Sequence, residues 1–106
     1  MIDRNKINLL AIKELAEASK THRRFFASNH EGESVLREEV KETAECMDNV
    51  LDGYRMIETR VQHDEPVSDL IREVEKHAYL LVAEAIQVFA MLLKMRFSEK
   101  VRGGIE

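Results

Sequence analysis

The sequence is poor in the residues that interrupt or cross-link a chain. It has one proline, four glycines and no tryptophan in 106 residues, and Gly103 and Gly104 are adjacent near its end. So few turn residues exclude a many-stranded β-fold. The single cysteine, Cys46, cannot form an internal disulfide and has no partner for a CxxC motif, which favours a reducing, intracellular compartment. We therefore expect an all-α protein made of few, long helices.

The sequence also lacks a dominant charge and a long uninterrupted apolar run. Sixteen basic and twenty acidic residues give a net charge of −4, so no basic stripe is available for nucleic acid. The opening MIDRNKINLL has no apolar stretch of the kind found in signal peptides. Residues 78–93 are nearly apolar, but two polar residues interrupt this stretch and it is short for a bilayer span. We expect a cytoplasmic protein without nucleic-acid or membrane partners.

Turn chemistry divides the chain into three helical segments within a single domain, residues 1–106. We predict helices over about 3–20, 33–61 and 67–100, with Asp3 as the first N-cap and Pro66 at the first position of the third helix. Residues 21–32 are predicted to be a loop with one helical turn at most. The short connection at 62–66 makes the two long helices an antiparallel hairpin. A chain of this length buries only about 65% of its unfolded surface, so we expect oligomerisation to complete a helical bundle.

Both long helices carry an apolar seam of the kind that packs lengthwise on another helix. Gly53 lies within the second helix, where it costs about 1 kcal/mol relative to alanine and permits a local bend. The seam keeps its spacing across this glycine, so a single helix is predicted. The seam residues are Leu36, Val40, Thr43, Met47, Val50, Tyr54, Ile57 and Val61 in the second helix, and Leu70, Val74, His77, Leu81, Val88 and Leu92 in the third.

The apolar stretch AYLLVAEAIQVFAMLL, residues 78–93, contains two strongly polar side chains, Glu84 and Gln87. A helix that is apolar all round is expected to be buried all round. An ionised glutamate in such a place must be paired or bound to a cation, because burying it alone is very costly. Two alternatives remain open on this basis: an arginine partner across the interface, or a metal ion.

The hairpin register favours the metal ion. Glu39 and Glu42 are three residues apart and share one face of the second helix. If the turn centres on residues 62–64, Glu42 lies opposite Glu84 and Glu39 lies opposite Gln87. Three carboxylates placed together repel unless a cation lies among them. Oxygen ligands without Cys or His suit Mg²⁺ or Mn²⁺, and magnesium bound in this way commonly acts on a substrate phosphate.

These motifs resemble those of a known family, the MazG-like all-α nucleoside triphosphate pyrophosphohydrolases. The family pattern is EExxE on one helix and ExxD on an antiparallel helix, and its counterparts here are residues 38–42 (EEVKE) and 84–87 (EAIQ). The stretches HEGESVL at 30–36 and VAEAIQV at 82–88 also look like a small subgroup common in phage and prophage genes. The resemblance covers about residues 28–94, and Gln87 departs from it by replacing the closing Asp.

The resemblance implies Mg²⁺- or Mn²⁺-dependent cleavage of a nucleoside triphosphate to monophosphate and pyrophosphate, by a dimer or tetramer that completes the site. On this hypothesis Glu38 or Glu45 orients or deprotonates the attacking water. The metal ligands are Glu39, Glu42, Glu84 and Gln87, and the residues that clamp the triphosphate are Lys20, Arg23, Arg24 and Lys94.

The substitution at Gln87 also permits a different function. An amide offers a neutral oxygen but no charge, so a cation would be held more weakly than by the family's Asp. The alternative is a non-catalytic helical assembly module that has kept the fold and lost the chemistry. A coiled-coil adaptor would explain the seams but not a glutamate in an apolar run. For self-assembly, the expected interface residues on the third helix are Ile86, Phe89 and Leu93.

Overall fold

The computed structural model describes residues 1–103, and these form three helices without a strand. Helix α1 spans Arg4–Ala18, α2 spans Asn29–Gln62 and α3 spans Ser68–Gly103. The prediction of an all-α fold is confirmed. The described part is elongated, with principal extents of 61 × 27 × 26 Å.

Helix α1 begins as its sequence predicts. The Asp3 carboxylate accepts a hydrogen bond from the backbone N–H of Asn5 at 2.8 Å, so the predicted N-cap is confirmed. The helix ends at Ala18, two residues before the predicted end. Ser19 follows in capping position, where its hydroxyl donates to the carbonyl of Leu15 at 2.8 Å.

Helix α2 begins at Asn29, four residues earlier than predicted, so the predicted loop at 21–32 was too long. The Ser28 hydroxyl accepts from the backbone N–H of Glu31 at 3.1 Å and caps the helix. A serine followed three residues later by a glutamate is the spacing of a capping box, a start signal that our prediction missed. Asn29 is also fixed to the end of α3, where it accepts from Arg102 at 2.7 Å and donates to Glu99 at 3.0 Å.

The connection between α2 and α3 is held by an ion pair. The Arg60 guanidinium donates to the Asp69 carboxylate at 2.9 Å and to the carbonyl of Pro66 at 3.3 Å. Pro66 does not occupy the first helical position as predicted, because the helix begins at Ser68. The carbonyl of Val67 instead accepts the first helical bond, from the N–H of Ile71 at 2.9 Å. The five residues 63–67 therefore turn the chain before α3 starts.

The packing of α2 on α3 pairs residues early in one helix with residues late in the other. Gly32 lies beside Met95, and Gly53 lies beside Val74. At Gly53 a β-carbon would clash with the Val74 side chain, so the two backbones approach closely there. Helix α2 continues unbroken through this residue. The glycine therefore allows close packing of the two helices. The local bend that the sequence permitted at this position does not interrupt the helix.

The predicted seam of α2 divides into two columns. One column is half-buried in the described chain and comprises Leu36, Thr43, Val50 and Ile57. The other column is exposed and comprises Val40, Met47, Tyr54 and Val61, with 40–57% of each residue accessible. One neighbouring helix covers only one side of such a seam. The exposed column leaves an apolar surface on α2.

Helix α3 is less buried than its composition suggested. In its most apolar 18-residue window only 22% of the residues are buried, so the expectation of burial all round was wrong for the single chain. By length and composition this helix could cross a membrane, a test that core helices of soluble proteins also pass. Leu93 belongs to the core at 9% exposure, so it is not available as the predicted interface residue. Ile86 and Phe89 are half-buried.

The core lies where α1 packs on the second half of α3. It consists of Ala11, Phe26, Ala90, Met91 and Leu93. The segment between α1 and α2 is anchored by Ser98, which is fully buried. Its hydroxyl accepts from the N–H of Phe26 at 2.7 Å and donates to the carbonyl of Lys94 at 2.6 Å. The anchor places the basic residues of this segment beside α3.

The close approach at Gly53 gives a first prediction. Gly53→Ala should lower the melting temperature although alanine favours the helix, because crowding against Val74 costs about 1–3 kcal/mol. In a Val74→Ala background the same substitution should be neutral or stabilising, since the clashing atoms are gone. Thermal unfolding of the four proteins measures both effects. Stabilisation by Gly53→Ala in the wild-type background would contradict this account of the packing.

Candidate metal centre

Three glutamates from the two long helices converge in the structure. Glu39 and Glu42 of α2 and Glu84 of α3 each place one carboxylate oxygen within 4.8 Å of the other two. Glu39 and Glu42 are on one face because they are three residues apart on a helix. Glu84 meets them at this level because the Gly53 contact and the Arg60–Asp69 pair align the two helices.

Glu84 has no basic partner in the described chain. Glu39 and Glu84 are half-buried and Glu42 is exposed. Within residues 1–103 no Lys or Arg forms an ion pair with any of the three. The arginine partner that the sequence left as an alternative for Glu84 is therefore not found within this range. Negative charge accumulates here without a nearby cation to balance it.

The carboxyl groups resist ionisation in this arrangement. Burial raises the pKa of Glu39 above its ordinary value, and the charges of Glu42 and Glu84 raise it further. Burial likewise raises the pKa of Glu84, and the hydrogen bond and the charge of Glu42 add to the rise. Each proton held in the group relieves part of the repulsion. A bound cation would do the same at neutral pH.

The donor set fits a hard divalent cation. Carboxylate oxygens are the ligands that Mg²⁺, Mn²⁺ and Ca²⁺ prefer. Ligands on opposite sides of Mg²⁺ are about 4.2 Å apart, and for Ca²⁺ they are about 5 Å apart. The three glutamate oxygens lie within 4.8 Å of one another, a range that includes the distance that magnesium needs. Small side-chain rotations would bring the oxygens to that distance, and waters or substrate would supply the remaining ligands.

Gln87 makes a contact that the sequence did not predict. It lies one turn after Glu84 on α3, and its amide nitrogen donates to a carboxylate oxygen of Glu14 at 2.6 Å. Glu14 belongs to α1, so a fourth carboxylate stands next to the position where the family has its Asp. Our sequence reasoning missed Glu14, because an exposed glutamate on a short amphipathic helix carries no signal of which helix it will meet.

A cavity of about 490 Å³ adjoins the glutamates on the side of α1. Glu39 and Gln87 lie on its wall together with His22, Arg23 and Lys94. Burial lowers the pKa of Lys94, and the nearby charge of Glu31 opposes this shift. The Lys94 ammonium also lies over the Phe26 ring, 4.4 Å from its centroid. The lining therefore includes both carboxylates, Glu31 and Glu39, and cationic groups, Arg23 and Lys94.

The remaining predicted site residues lie apart from the glutamate group. Arg24 lines a different cavity, between α1 and the end of α3. Lys20 is exposed and pairs with Glu17 at 3.0 Å. Glu38 and Glu45, the predicted catalytic residues, are exposed on α2. Of the four basic residues proposed for the triphosphate, Arg23 and Lys94 therefore share the cavity with Glu39.

Comparison with family models, with curated proteins and with solved structures gives no significant match to this chain. The case for a function consequently rests on the geometry of the site and on the motif resemblance.

The raised pKa values predict how stability depends on pH without metal. A carboxyl group with a higher pKa in the folded state stabilises that state below its unfolded pKa, near 4.5, and loses this contribution as pH rises through the folded pKa. In chelator, wild-type protein should therefore lose stability as pH rises above 4.5, and Glu84→Gln should lose less. Thermal melts across this range, with the exposed Glu75→Gln as a matched control, measure the difference. Parallel curves for wild type and Glu84→Gln would contradict the repulsion described here.

Proposed function

We propose that this protein is a divalent-cation-dependent nucleotide pyrophosphohydrolase, which cleaves a nucleoside triphosphate to a monophosphate and pyrophosphate. The observation that carries the proposal is the convergence of Glu39, Glu42 and Glu84 from two helices. The adjoining cavity supports it, since Arg23 and Lys94 line it together with Glu39 and are cationic groups of the kind that bind phosphate oxygens. The resemblance of residues 38–42 and 84–87 to the MazG-like motifs agrees with the same chemistry.

The roles of the residues follow from their positions. Glu39, Glu42 and Glu84 would hold Mg²⁺ or Mn²⁺, which when bound supplies charge neutralisation at the phosphates and lowers the pKa of a ligand water. Arg23 and Lys94, which line the same cavity as Glu39, would orient the triphosphate.

The water that attacks the α-phosphorus must give up a proton, and pyrophosphate leaves. Glu38 and Glu45 remain the candidates from the sequence for accepting that proton. Glu39 is a third candidate, because it lines the cavity and burial raises its pKa above the ordinary value.

Assembly belongs to the same proposal: the α2–α3 hairpin forms a homodimer or homotetramer that completes a helical bundle. The exposed column of α2 and the exposed α3 residues Ile71, Val82 and Leu92 lie on the same side of the helix pair, given its antiparallel order and 3.6 residues per turn. An apolar face that extends over two helices is typical of a subunit interface. A second copy would cover it.

One observation favours the alternative of a non-catalytic assembly module. The hydrogen bond from Gln87 to Glu14 links α3 to α1 and uses the side chain that stands in place of the family's Asp. In this alternative the amide serves packing, and the glutamates bind a cation without turnover or bind none.

Metal binding and turnover test the two functions. Millimolar Mg²⁺ or Mn²⁺ should raise the melting temperature of wild type by mass action, and Glu84→Gln should abolish the rise. Incubation with a panel of nucleoside triphosphates should release pyrophosphate only with metal. Gln87→Asp should strengthen metal binding and increase any pyrophosphate release, because it adds a charge next to the glutamates.

The exposed Glu75→Gln is the matched control and should keep the metal response of wild type. A metal-dependent stabilisation without turnover would favour the assembly module. Absence of both effects, with Glu84→Gln less stable than wild type in chelator, would exclude a metal site.

The assembly claim gives a separate prediction. Wild type should sediment as a dimer or larger species at micromolar concentration. Leu92→Glu should shift it toward monomer, because Leu92 is 47% exposed on the apolar face and a charge there would be buried. Leu9→Glu, at a 53% exposed leucine of α1, is the matched control and should leave the assembly intact. Monomeric wild type in sedimentation equilibrium would contradict the proposal.

A further inference from the structure

A second cavity, distinct from the one at the glutamates, lies between α1 and the end of α3. Its volume is about 600 Å³, within the range of about 300–1,000 Å³ typical of small-molecule sites. The wall is mostly apolar, with Ile12, Leu15, Phe25 and Phe97 among its residues. Ile12 and Phe97 are 51% and 40% exposed, so the wall is accessible to a ligand. An apolar molecule bound there would remove this surface from water.

The charged groups of this cavity are all of one sign. Arg24, Lys94 and Lys100 line it, and no carboxylate does so in the described chain. None of the three forms an ion pair within residues 1–103. Arg24 lies over the ring of Phe25, 5.5 Å from its centroid, so its guanidinium stands beside the apolar wall. A cationic rim around an apolar floor complements a molecule that has an apolar body and an anionic head.

We infer that this cavity binds a small amphiphilic anion, with its alkyl or aryl body against α1 and α3 and its carboxylate or other anionic head between Arg24 and Lys100. This site shares Lys94 with the cavity at the glutamates, but it contains none of the three glutamates, and the head group is assigned to Arg24 and Lys100, so it does not depend on the proposed nucleotide chemistry.

A second copy of the chain is a less suitable occupant. Two copies related by a two-fold axis through this cavity would bring their rims of Arg24 and Lys100 toward each other, and like charges in contact are costly. The face formed by α2 and α3 has no such rim and already accounts for self-assembly.

Decanoate is a simple probe, because 1-decanol has the same chain without the charge. Calorimetric titration in chelator, below the micelle concentration, should give saturable binding of one decanoate per chain and weaker binding of 1-decanol. Arg24→Gln/Lys100→Gln should weaken decanoate binding by about tenfold and leave 1-decanol binding unchanged. Both residues are exposed, so the variant should fold. The matched control, Arg72→Gln/Lys76→Gln, removes the same charge elsewhere on the surface.

A second variant tests the cavity itself. Ala16 is exposed and lines the cavity, so Ala16→Trp should fill it and abolish binding of both probes, whereas Ala44→Trp on α2 should not. Lack of saturable binding by wild type would overturn the inference. Equal binding of decanoate to all variants would also overturn it. A third contradicting result would be an oligomer that binds no decanoate and that Ala16→Trp dissociates, because the cavity would then be a subunit interface.

Discussion

The close packing of α2 on α3 is the constraint on which the other features depend. A glycine at position 53 lets the two backbones approach, and the Arg60–Asp69 ion pair fixes the connection between the two helices. Together these contacts determine which residues of the two helices meet. If the packing shifted by one helical turn, about 5.4 Å, Glu84 would leave Glu39 and Glu42 and the carboxylate group would not exist.

This packing brings carboxylates close together and leaves apolar side chains of α2 and α3 exposed. Burial and the neighbouring charge of Glu42 raise the pKa values of Glu39 and Glu84, which opposes folding at neutral pH, and such arrangements are frequent at functional sites. Arg23 and Lys94 line the same cavity as Glu39 without forming an ion pair with it in the described residues. At the same time only 22% of the apolar window of α3 is fully buried by the described chain. One chain therefore carries a cavity lined by charged groups and, on α2 and α3, exposed apolar side chains.

The sequence predicted those features that follow from local spacing. Helix content, the Asp3 cap and the shared face of Glu39 and Glu42 depend on residues a few positions apart, and the structure has all three. The start of α2 was also readable, since Ser28 and Glu31 have the spacing of a capping box. The contact between Gln87 and Glu14 was not, because it joins residues 73 positions apart through the docking of α1 on α3. The burial of α3 was overestimated because composition cannot show how many neighbours a helix will have.

The central claim is that Glu39, Glu42 and Glu84 bind a divalent cation. Its most direct test is the anomalous scattering of crystals grown with Mn²⁺, measured near the manganese absorption edge. A peak is expected among the three carboxylates, with oxygens from at least two of the glutamates at about 2.2 Å, and it should be absent from crystals of Glu84→Gln. Ordered glutamates with no peak between them, in crystals that hold Mn²⁺ elsewhere or not at all, would contradict the claim.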